Sequence, residues 1–285
     1  MKKTVRNIFL WPFRQCAEFF MKLYNTLYYF SHKELARKDC INRLQNERKG
    51  RTVLKVLGNG QSLSDDLSLF ASNEQIDYMV VNRHVLSDSY KTLKPRYYTL
   101  ADSYFYTMPE GFSILQHIND ATSWNMFLFV PNEKTAHRAM KQYINNCYIT
   151  VVYYNAGTYE GFDWIRRYME NHNLSMPVSQ NVIVAGCYIS ICMKYPRIEL
   201  YGVEHSWTRN LSVNADNEVC LENPHFYDKK GDKVQTRMGW NFHITLQKYA
   251  RMFESYWELR TLAEKRNVCI VNKTKDSFID AFPKE

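Results

Sequence analysis

The residues best suited to chemistry form a short polar loop directly after an apolar run, Val53–Leu57. The loop reads Gly58-Asn59-Gly60-Gln61-Ser62-Leu63. Glycine tolerates a positive φ and lets a ligand approach the backbone, so the pattern predicts a buried parallel strand that ends in a tight binding loop. Ser62 has a side chain able to cap the helix that follows, whose free N–H groups would then face an anion. We predict that a nucleotide phosphate is held there.

The spacing differs from the two best-known phosphate loops. Leu63 stands where Gly-x-Gly-x-x-Gly has its third glycine, and no Gly-Lys-Ser/Thr follows, so neither a dinucleotide fingerprint nor a P-loop is indicated. A strand followed by Gly-x-Gly can also be a simple turn. The elements around the loop must decide between a binding loop and a turn.

Those elements alternate between strand-like and helix-like sequence. Six further strands are predicted, at Met79–Asn82, Tyr97–Asp102, Met126–Val130, Tyr148–Tyr154, Ile198–Val203 and Val268–Asn272. Helical periodicity is found at Phe162–Asn171, Ala185–Lys194 and His243–Lys265. The alternation predicts an α/β fold, a Rossmann-like doubly wound and mainly parallel sheet.

Polar residues terminate several of the predicted strands, and in such a sheet the carboxyl ends of the strands form the ligand crevice. These residues are Asn59, Asn82, Asp102, Glu204 with His205, and Asn272. We therefore expect them to converge on one crevice.

The first loop resembles the Gly-Asn-Gly-Pro-Ser-Leu loop of bacterial sialyltransferases of glycosyltransferase family 42 and of related cell-surface polysaccharide enzymes. The resemblance covers roughly residues 53–282 and is most specific in the loop. It continues through Asn82, through Asp102 where sialyltransferases have Asn, through Ala185-Gly186-Cys187-Tyr188 as a helix start, and through Tyr201-Gly202-Val203-Glu204-His205.

The resemblance implies a nucleotide-sugar-binding domain with a smaller lid, about residues 206–242. It implies a metal-independent transfer from CMP-activated sialic acid, without a cofactor. We predict that a sialic or related nonulosonic acid is transferred to a lipid-linked saccharide of a surface glycan, with inversion at the anomeric carbon as single displacement requires. The chain has no Asp-x-Asp, the carboxylate pair that usually holds Mg²⁺ in metal-dependent sugar transferases. The donor-binding residues expected from it are Gly58, Asn59, Gly60, Ser62, Asn82, Asp102, Gly186 and Glu204.

Two histidines are the candidate catalytic residues. The resemblance assigns the general base to a lid histidine, for which His225 is the counterpart and His243 the rival, because an imidazole titrates near neutrality. His205 follows the sixth strand, where it could hydrogen-bond or protonate the leaving phosphate.

Two departures from the family keep other functions open. Gln61 replaces the loop proline, and the carboxylate of Asp102 can accept hydrogen bonds from a ribose or a cytosine amine but repels a phosphate. One alternative is a transferase that uses another nucleotide-activated sugar or a phosphoryl-alcohol donor. The other is a non-catalytic membrane scaffold or nucleotide sensor in polysaccharide assembly.

Charge divides the 285-residue chain into two parts. Residues 1–51 contain 12 Lys and Arg against 4 Asp and Glu, which equals the net charge of +8 of the whole chain. We therefore predict a basic, aromatic segment at 1–50 and a neutral glycosyltransferase domain at 51–285. Nucleic-acid binding is not expected, because the globular part is neutral and the basic residues alternate with bulky apolar ones.

The N-terminal segment has no apolar run of the roughly 20 residues that a membrane span requires and no small-residue cleavage site. It is typical of an amphipathic helix on an anionic membrane, and the alternative is an aromatic helix packed on the domain or on a partner subunit. The seven cysteines form no Cys-x-x-Cys pair, and most lie in apolar sequence, as buried reduced thiols do. We expect a cytoplasmic protein on the inner face of the cell membrane, without a zinc site, and homo-oligomerisation stays open.

Overall fold

The computed structural model describes residues 2–32, 44–48, 50–70, 75–222 and 235–285. Its centre is a seven-stranded sheet in which every neighbouring pair of strands is parallel. The strands are β1 (Val53–Leu57), β2 (Ile76–Val81), β3 (Tyr97–Thr99), β4 (Met126–Pro131), β5 (Ile149–Tyr154), β6 (Arg197–Tyr201) and β10 (Cys269–Asn272). The order across the sheet is β10-β6-β1-β2-β3-β4-β5, which confirms the predicted doubly wound fold.

Helices cover both faces of this sheet. They are α2 (Leu63–Asp66), α3 (Ser89–Leu93), α4 (Tyr104–Thr107), α5 (Pro109–Ala121), α6 (Lys134–Tyr143), α7 (Asp163–Asn171), α8 (Val182–Cys192) and α9 (Phe242–Lys265). The core on one face contains α8 and α9, and the core on the other contains α5 and α6. Because both faces are covered, the strands are apolar runs rather than alternating sequences.

Helix α8 begins earlier than the sequence predicted. The expected start was Ala185, but Asn181 is the N-cap, and its Oδ1 accepts a hydrogen bond from the Ile183 N–H at 2.7 Å. Gly186 therefore lies inside the helix, where an added Cβ would be 3.3 Å from Met79 Sδ. Close packing between helix and sheet explains a glycine at this position.

A small antiparallel sheet occupies part of the predicted lid. It contains β7 (Leu211–Val213), β8 (Val219–Glu222) and β9 (Gln235–Arg237), in that order. A 3₁₀ helix, Trp207–Asn210, precedes it. The division of the chain at residue 50 and the lid limits of 206 and 242 stay predictions.

The N-terminal segment is a long helix, α1 (Lys2–His32). Its C-terminal half packs on the domain through Tyr29, which is buried against Tyr159 and Met169. No helix in the described part of the chain combines the length and the apolar character needed to cross a bilayer.

Cysteine burial differs from expectation. Of the six described cysteines, Cys187, Cys192 and Cys220 are buried, whereas Cys16, Cys147 and Cys269 are exposed. The prediction that most are buried is thus wrong for half of this set, because apolar sequence does not tell which face of an element an individual side chain occupies.

Candidate functional site

The site lies where the strand order reverses. The chain adds β2 to β5 on one side of β1 and places β6 and β10 on the other, and the loops after β1 and β6 both border a crevice at this switch point. A cavity of about 180 Å³ is found there. Six of the ten candidate site residues line it: Gly58, Asn59, Gly60, Asn82, Glu204 and His205.

The loops after β1 and β6 interlock through their backbones. Gly58 N donates to Tyr201 O at 2.8 Å, and Gly60 N donates to Gly202 O at 2.9 Å. A Cβ on Gly58 would be 2.2 Å from the carbonyl oxygen of Gly202, and one on Gly60 would be 1.4 Å from Glu204 Oε2. These two glycines are therefore required by the neighbouring loop, whether or not a ligand is bound.

The Glu204 carboxylate occupies the position at which the sequence predicted a phosphate. Its Oε1 accepts a hydrogen bond from Ser62 N at 2.7 Å. Because a carboxylate already faces the N-terminus of α2, a phosphate there would meet like charge. The prediction that this N-terminus holds a phosphate is thus revised.

Ser62 does not cap α2 as predicted. Its φ and ψ are already helical, its side chain makes no capping hydrogen bond, and its Oγ is buried without a partner. The backbone N–H that a phosphate would have used is taken by Glu204. Ser62 lies just behind the residues that line the cavity.

Two asparagine side chains give the cavity its acceptors. Asn59 donates from Nδ2 to Val81 O at 3.3 Å, and its Oδ1 is buried without a hydrogen-bond partner. Asn82 Oδ1 is likewise buried without a partner, and Asn82 has a φ of +52°. Buried acceptors without partners are costly, so both oxygens are suited to a ligand that brings donors.

His205 is buried in the wall of the cavity. Its Nε2 and the Tyr256 hydroxyl share a hydrogen bond of 2.5 Å, and its ring stacks on Trp207 with centroids 4.3 Å apart. Burial lowers the pKa of His205 to about 3, so the imidazole is neutral at pH 7. It is therefore unsuited to protonating a phosphate and well placed to hold Trp207 against the cavity.

The cavity is also lined by residues that the sequence analysis did not predict for the site, among them Asn181, Trp207 and Asn210. Asn181 could have been found, because an asparagine directly before an apolar helical run is an N-cap signal. Trp207 is an aromatic residue near a candidate loop, but most aromatic residues in a chain with 21 tyrosines pack in cores and contacts, so its type alone does not indicate a site. Asn210 carries no pattern that distinguishes it from other exposed asparagines.

Of the candidates in the described part of the chain, Ser62, Asp102 and Gly186 do not line the cavity. Asp102 is exposed, and its Oδ1 accepts from Tyr104 N at 2.9 Å in a local turn. Gly186 is inside α8, as described above. His243 is exposed in the first turn of α9, and His225 lies outside the described residues.

The electrostatics of the cavity follow from one residue. Among its described lining residues, Glu204 is the sole formally charged side chain. In the described ranges, no group of three or more His, Cys, Asp or Glu is arranged to hold a metal ion. The cavity thus presents amide oxygens, a carboxylate and the aromatic face of Trp207, groups that suit hydroxyl and amine donors on a ribose, a base or a sugar.

Comparisons with known proteins find similar solved structures at low identity. The sialyltransferase CstII from Campylobacter jejuni, in complex with cytidine-5'-monophosphate, is 16% identical with a TM-score of 0.45, over 82% of this chain and 84% of that one. The monofunctional α-2,3-sialyltransferase Cst-I from the same organism is 14% identical with a TM-score of 0.44, over 89% and 83%. No protein-family profile and no curated protein matches the chain. A functional assignment therefore depends on the cavity and on the first loop.

Proposed function

We propose that this protein is a glycosyltransferase that binds a nucleotide-activated sugar in the cavity between β1 and β6. The observation that carries the proposal is the pair of buried, unpartnered amide oxygens of Asn59 and Asn82 at the switch point of the sheet. Ribose hydroxyls and the exocyclic amine of a base are donors that would satisfy them. Glu204 can accept from a ribose hydroxyl with the lone pairs that Ser62 leaves free.

The proposed donor is a CMP-linked sialic or related nonulosonic acid, on the basis of the Gly58-Asn59-Gly60 loop and its resemblance to family 42. A nucleoside monophosphate is a leaving group that can depart without a metal ion. The N-terminus of α2 already faces the Glu204 carboxylate. Helix α8 has 11 residues and is capped by Asn181 at the cavity wall, so its N-terminus offers a partial positive charge to a phosphate. We therefore place the phosphate toward α8.

The proposed reaction is a single displacement with inversion at the anomeric carbon. His225 accepts the proton of the acceptor hydroxyl while that oxygen bonds to the anomeric carbon. The bond from the anomeric carbon to the phosphate oxygen breaks, and its electron pair leaves with CMP. His205 acts as a neutral positioning residue through Trp207, and the acceptor is a lipid-linked saccharide of a surface glycan.

Calorimetric titration of the purified full chain tests the donor site. The ligands are CMP, UMP, UDP, GDP and CMP-sialic acid, each without and with Mg²⁺. We expect binding of CMP and CMP-sialic acid that does not change with Mg²⁺. Asn59→Ala and Asn82→Gly should each weaken it about tenfold or more, because each removes one buried acceptor; glycine at 82 keeps the positive φ.

The matched control is Asn125→Ala, an exposed asparagine at the opposite edge of the sheet, which should bind CMP as the parent does. Binding of UDP or GDP that requires Mg²⁺ would replace the CMP donor with another activated donor. Tight binding of CMP with no transfer to any saccharide acceptor, by both the parent and His225→Ala, would favour a nucleotide sensor. Loss of transfer with retained CMP binding in His225→Ala is the expected result.

A further inference from the structure

The C-terminal half of α1 turns its more polar side toward the domain and its apolar side toward solvent, the opposite of what is usual for a helix packed on a domain. The residues that face the domain recur at helical spacing: Lys22, Asn25, Thr26 and Tyr29. Asn25 Nδ2 donates to Glu160 O at 3.1 Å, and the hydroxyl of Thr26 lies 2.6 Å from the Tyr159 hydroxyl. The Tyr29 hydroxyl donates to Leu174 O at 2.8 Å. The docked stripe is thus held by hydrogen bonds together with the burial of Tyr29 against Tyr159 and Met169.

The opposite side of the helix is apolar and exposed. Phe20 is 66% exposed, Leu27 is 64% exposed and Tyr24 is 62% exposed, although all three types are normally buried. We define this outward face by its large exposed side chains, which are Phe20, Met21, Leu23, Tyr24, Leu27 and Tyr28. Phe19 and Phe30 flank the docked stripe, with ring centroids 5.5 Å from Phe162 and 6.5 Å from Tyr159, respectively. A soluble surface rarely carries so many neighbouring apolar groups without a partner.

No charged residue belongs to this face, and basic residues precede it along the helix. Between residues 15 and 32, the only Asp, Glu, Lys or Arg side chains are Glu18 and Lys22, which pair with each other at 2.7 Å beside the docked stripe. The helix residues before them include Lys2, Lys3, Arg6 and Arg14. A basic start followed by an uncharged aromatic face matches the two requirements of an anionic bilayer surface.

We propose that the outward face of α1 inserts into the headgroup region of an anionic bilayer, while the docked stripe fixes the domain to the membrane in one orientation. Phenylalanine and tyrosine are suited to this interface, and the basic excess of residues 1–51 is complementary to anionic lipids. Helix α7 packs on Tyr29 through Met169 and exposes two more aromatic side chains, Trp164 and Tyr168. The proposal is independent of the proposed reaction.

Co-sedimentation of the full chain with vesicles tests this. One set contains phosphatidylcholine alone, and the other contains about one-third phosphatidylserine. We expect binding to the anionic vesicles that salt weakens. Phe20→Ser with Leu27→Ser should reduce the partition coefficient by at least about tenfold, because two large side chains no longer leave water.

The matched control is Leu86→Ser with Met108→Ser, since these side chains are 46% and 48% exposed elsewhere on the domain. The control should bind vesicles as the parent does, and both variants should keep the parent melting temperature. Replacing Lys2, Lys3 and Arg6 with glutamine should reduce both the binding to anionic vesicles and its salt dependence, because it removes three of the 12 basic residues of the segment.

Equal binding of the parent and the outward-face variant to anionic vesicles would overturn the proposal, as would no binding at all. A dimer in analytical ultracentrifugation that Phe20→Ser with Leu27→Ser dissociates, together with no vesicle binding, would assign the outward face to a second copy of the chain instead.

Discussion

At the residue scale, the need for glycine at positions 58 and 60 comes from contact with the loop after β6 as well as from any ligand. An added Cβ at Gly58 meets a backbone carbonyl, whereas one at Gly60 meets the end of a glutamate side chain. The backbone at the end of a central strand can shift only at a large energetic cost, whereas a side chain can rotate away. The two glycines should therefore respond differently to the same substitution.

Gly58→Ala should lower the free energy of unfolding by more than about 2 kcal/mol, because the clash is with the Gly202 carbonyl. Gly60→Ala should cost less, because the Glu204 carboxylate can leave Ser62 N. Urea denaturation of both variants measures this. In Glu204→Ala, the additional cost of Gly60→Ala should fall; a strictly additive double variant would contradict the steric account.

His205 should make stability dependent on pH below neutrality. Burial lowers its pKa in the folded protein to about 3, against about 6.5 in an unfolded chain. Below about pH 6.5 the unfolded state therefore binds a proton that the folded state does not, and stability is lost as the pH falls. The loss from this group is about 2 kcal/mol at pH 5.

The test compares urea unfolding at pH 7.5 and pH 5, values on either side of the unfolded pKa of about 6.5, for the parent and for His205→Asn. Asparagine tolerates the positive φ of 51° at this position and does not titrate. The variant should lose less stability than the parent on acidification. Part of the dependence should persist, because burial also lowers the pKa of His84 to about 3.

At the element scale, α8 places its N-terminus at the cavity because Asn181 begins it. The Oδ1 of Asn181 accepts from Ile183 N, whereas Asn241, the N-cap of α9, makes no such side-chain bond. The pair forms a natural comparison of two asparagine caps in one protein. The cap also fixes which backbone groups of α8 face the cavity.

Asn181→Ala should lower the free energy of unfolding by about 1 kcal/mol, because one orphan N–H of α8 loses its acceptor. Asn241→Ala should change it by much less. Thermal unfolding measures both. If the N-terminus of α8 faces the donor phosphate, Asn181→Ala should also weaken CMP binding, and Asn241→Ala should leave it unchanged.

At the scale of the whole molecule, the chain before β1 is attached at the amino ends of the strands, whereas the cavity lies at their carboxyl ends. Arg51 Nε lies 3.0 Å from Asp77 Oδ1, and Asp77 is 4% exposed. The Tyr195 hydroxyl donates to the same carboxylate. Burial raises the pKa of Asp77, and the Tyr195 hydrogen bond and Arg51 oppose that rise.

Arg51→Ala should cost about 1–3 kcal/mol, because it leaves a buried carboxylate with less compensation. Lys273→Ala is the control, since its partner Glu285 is about half exposed and such pairs are worth at most about 1 kcal/mol. Urea unfolding of the two variants compares them. Equal losses would show that burial of Asp77 has no energetic consequence.

The sequence by itself determined the strands of the central sheet and the first loop. Apolar runs such as Val53–Leu57 and Met126–Val130 are strands in the structure, and the polar residues after them predicted the edge where the cavity lies. This succeeds because local periodicity reports burial on both faces, and because parallel strands place their carboxyl ends together. The short helices and β7 to β9 carry weaker periodicity and were not predicted, and neither were α5 and α6, which cover one face of the sheet.

Only the tertiary structure decided which groups meet. Glu204 takes the N–H of Ser62 because β6 pairs with β1, a contact between positions 142 residues apart. Asp102 lies three residues past the end of β3 and accepts a hydrogen bond from the backbone of Tyr104, and α1 packs on the domain through its more polar stripe. These contacts depend on the order of the strands in the sheet and on which face of a helix lies near hydrogen-bond partners. The spacing of residues along the chain contains neither kind of information.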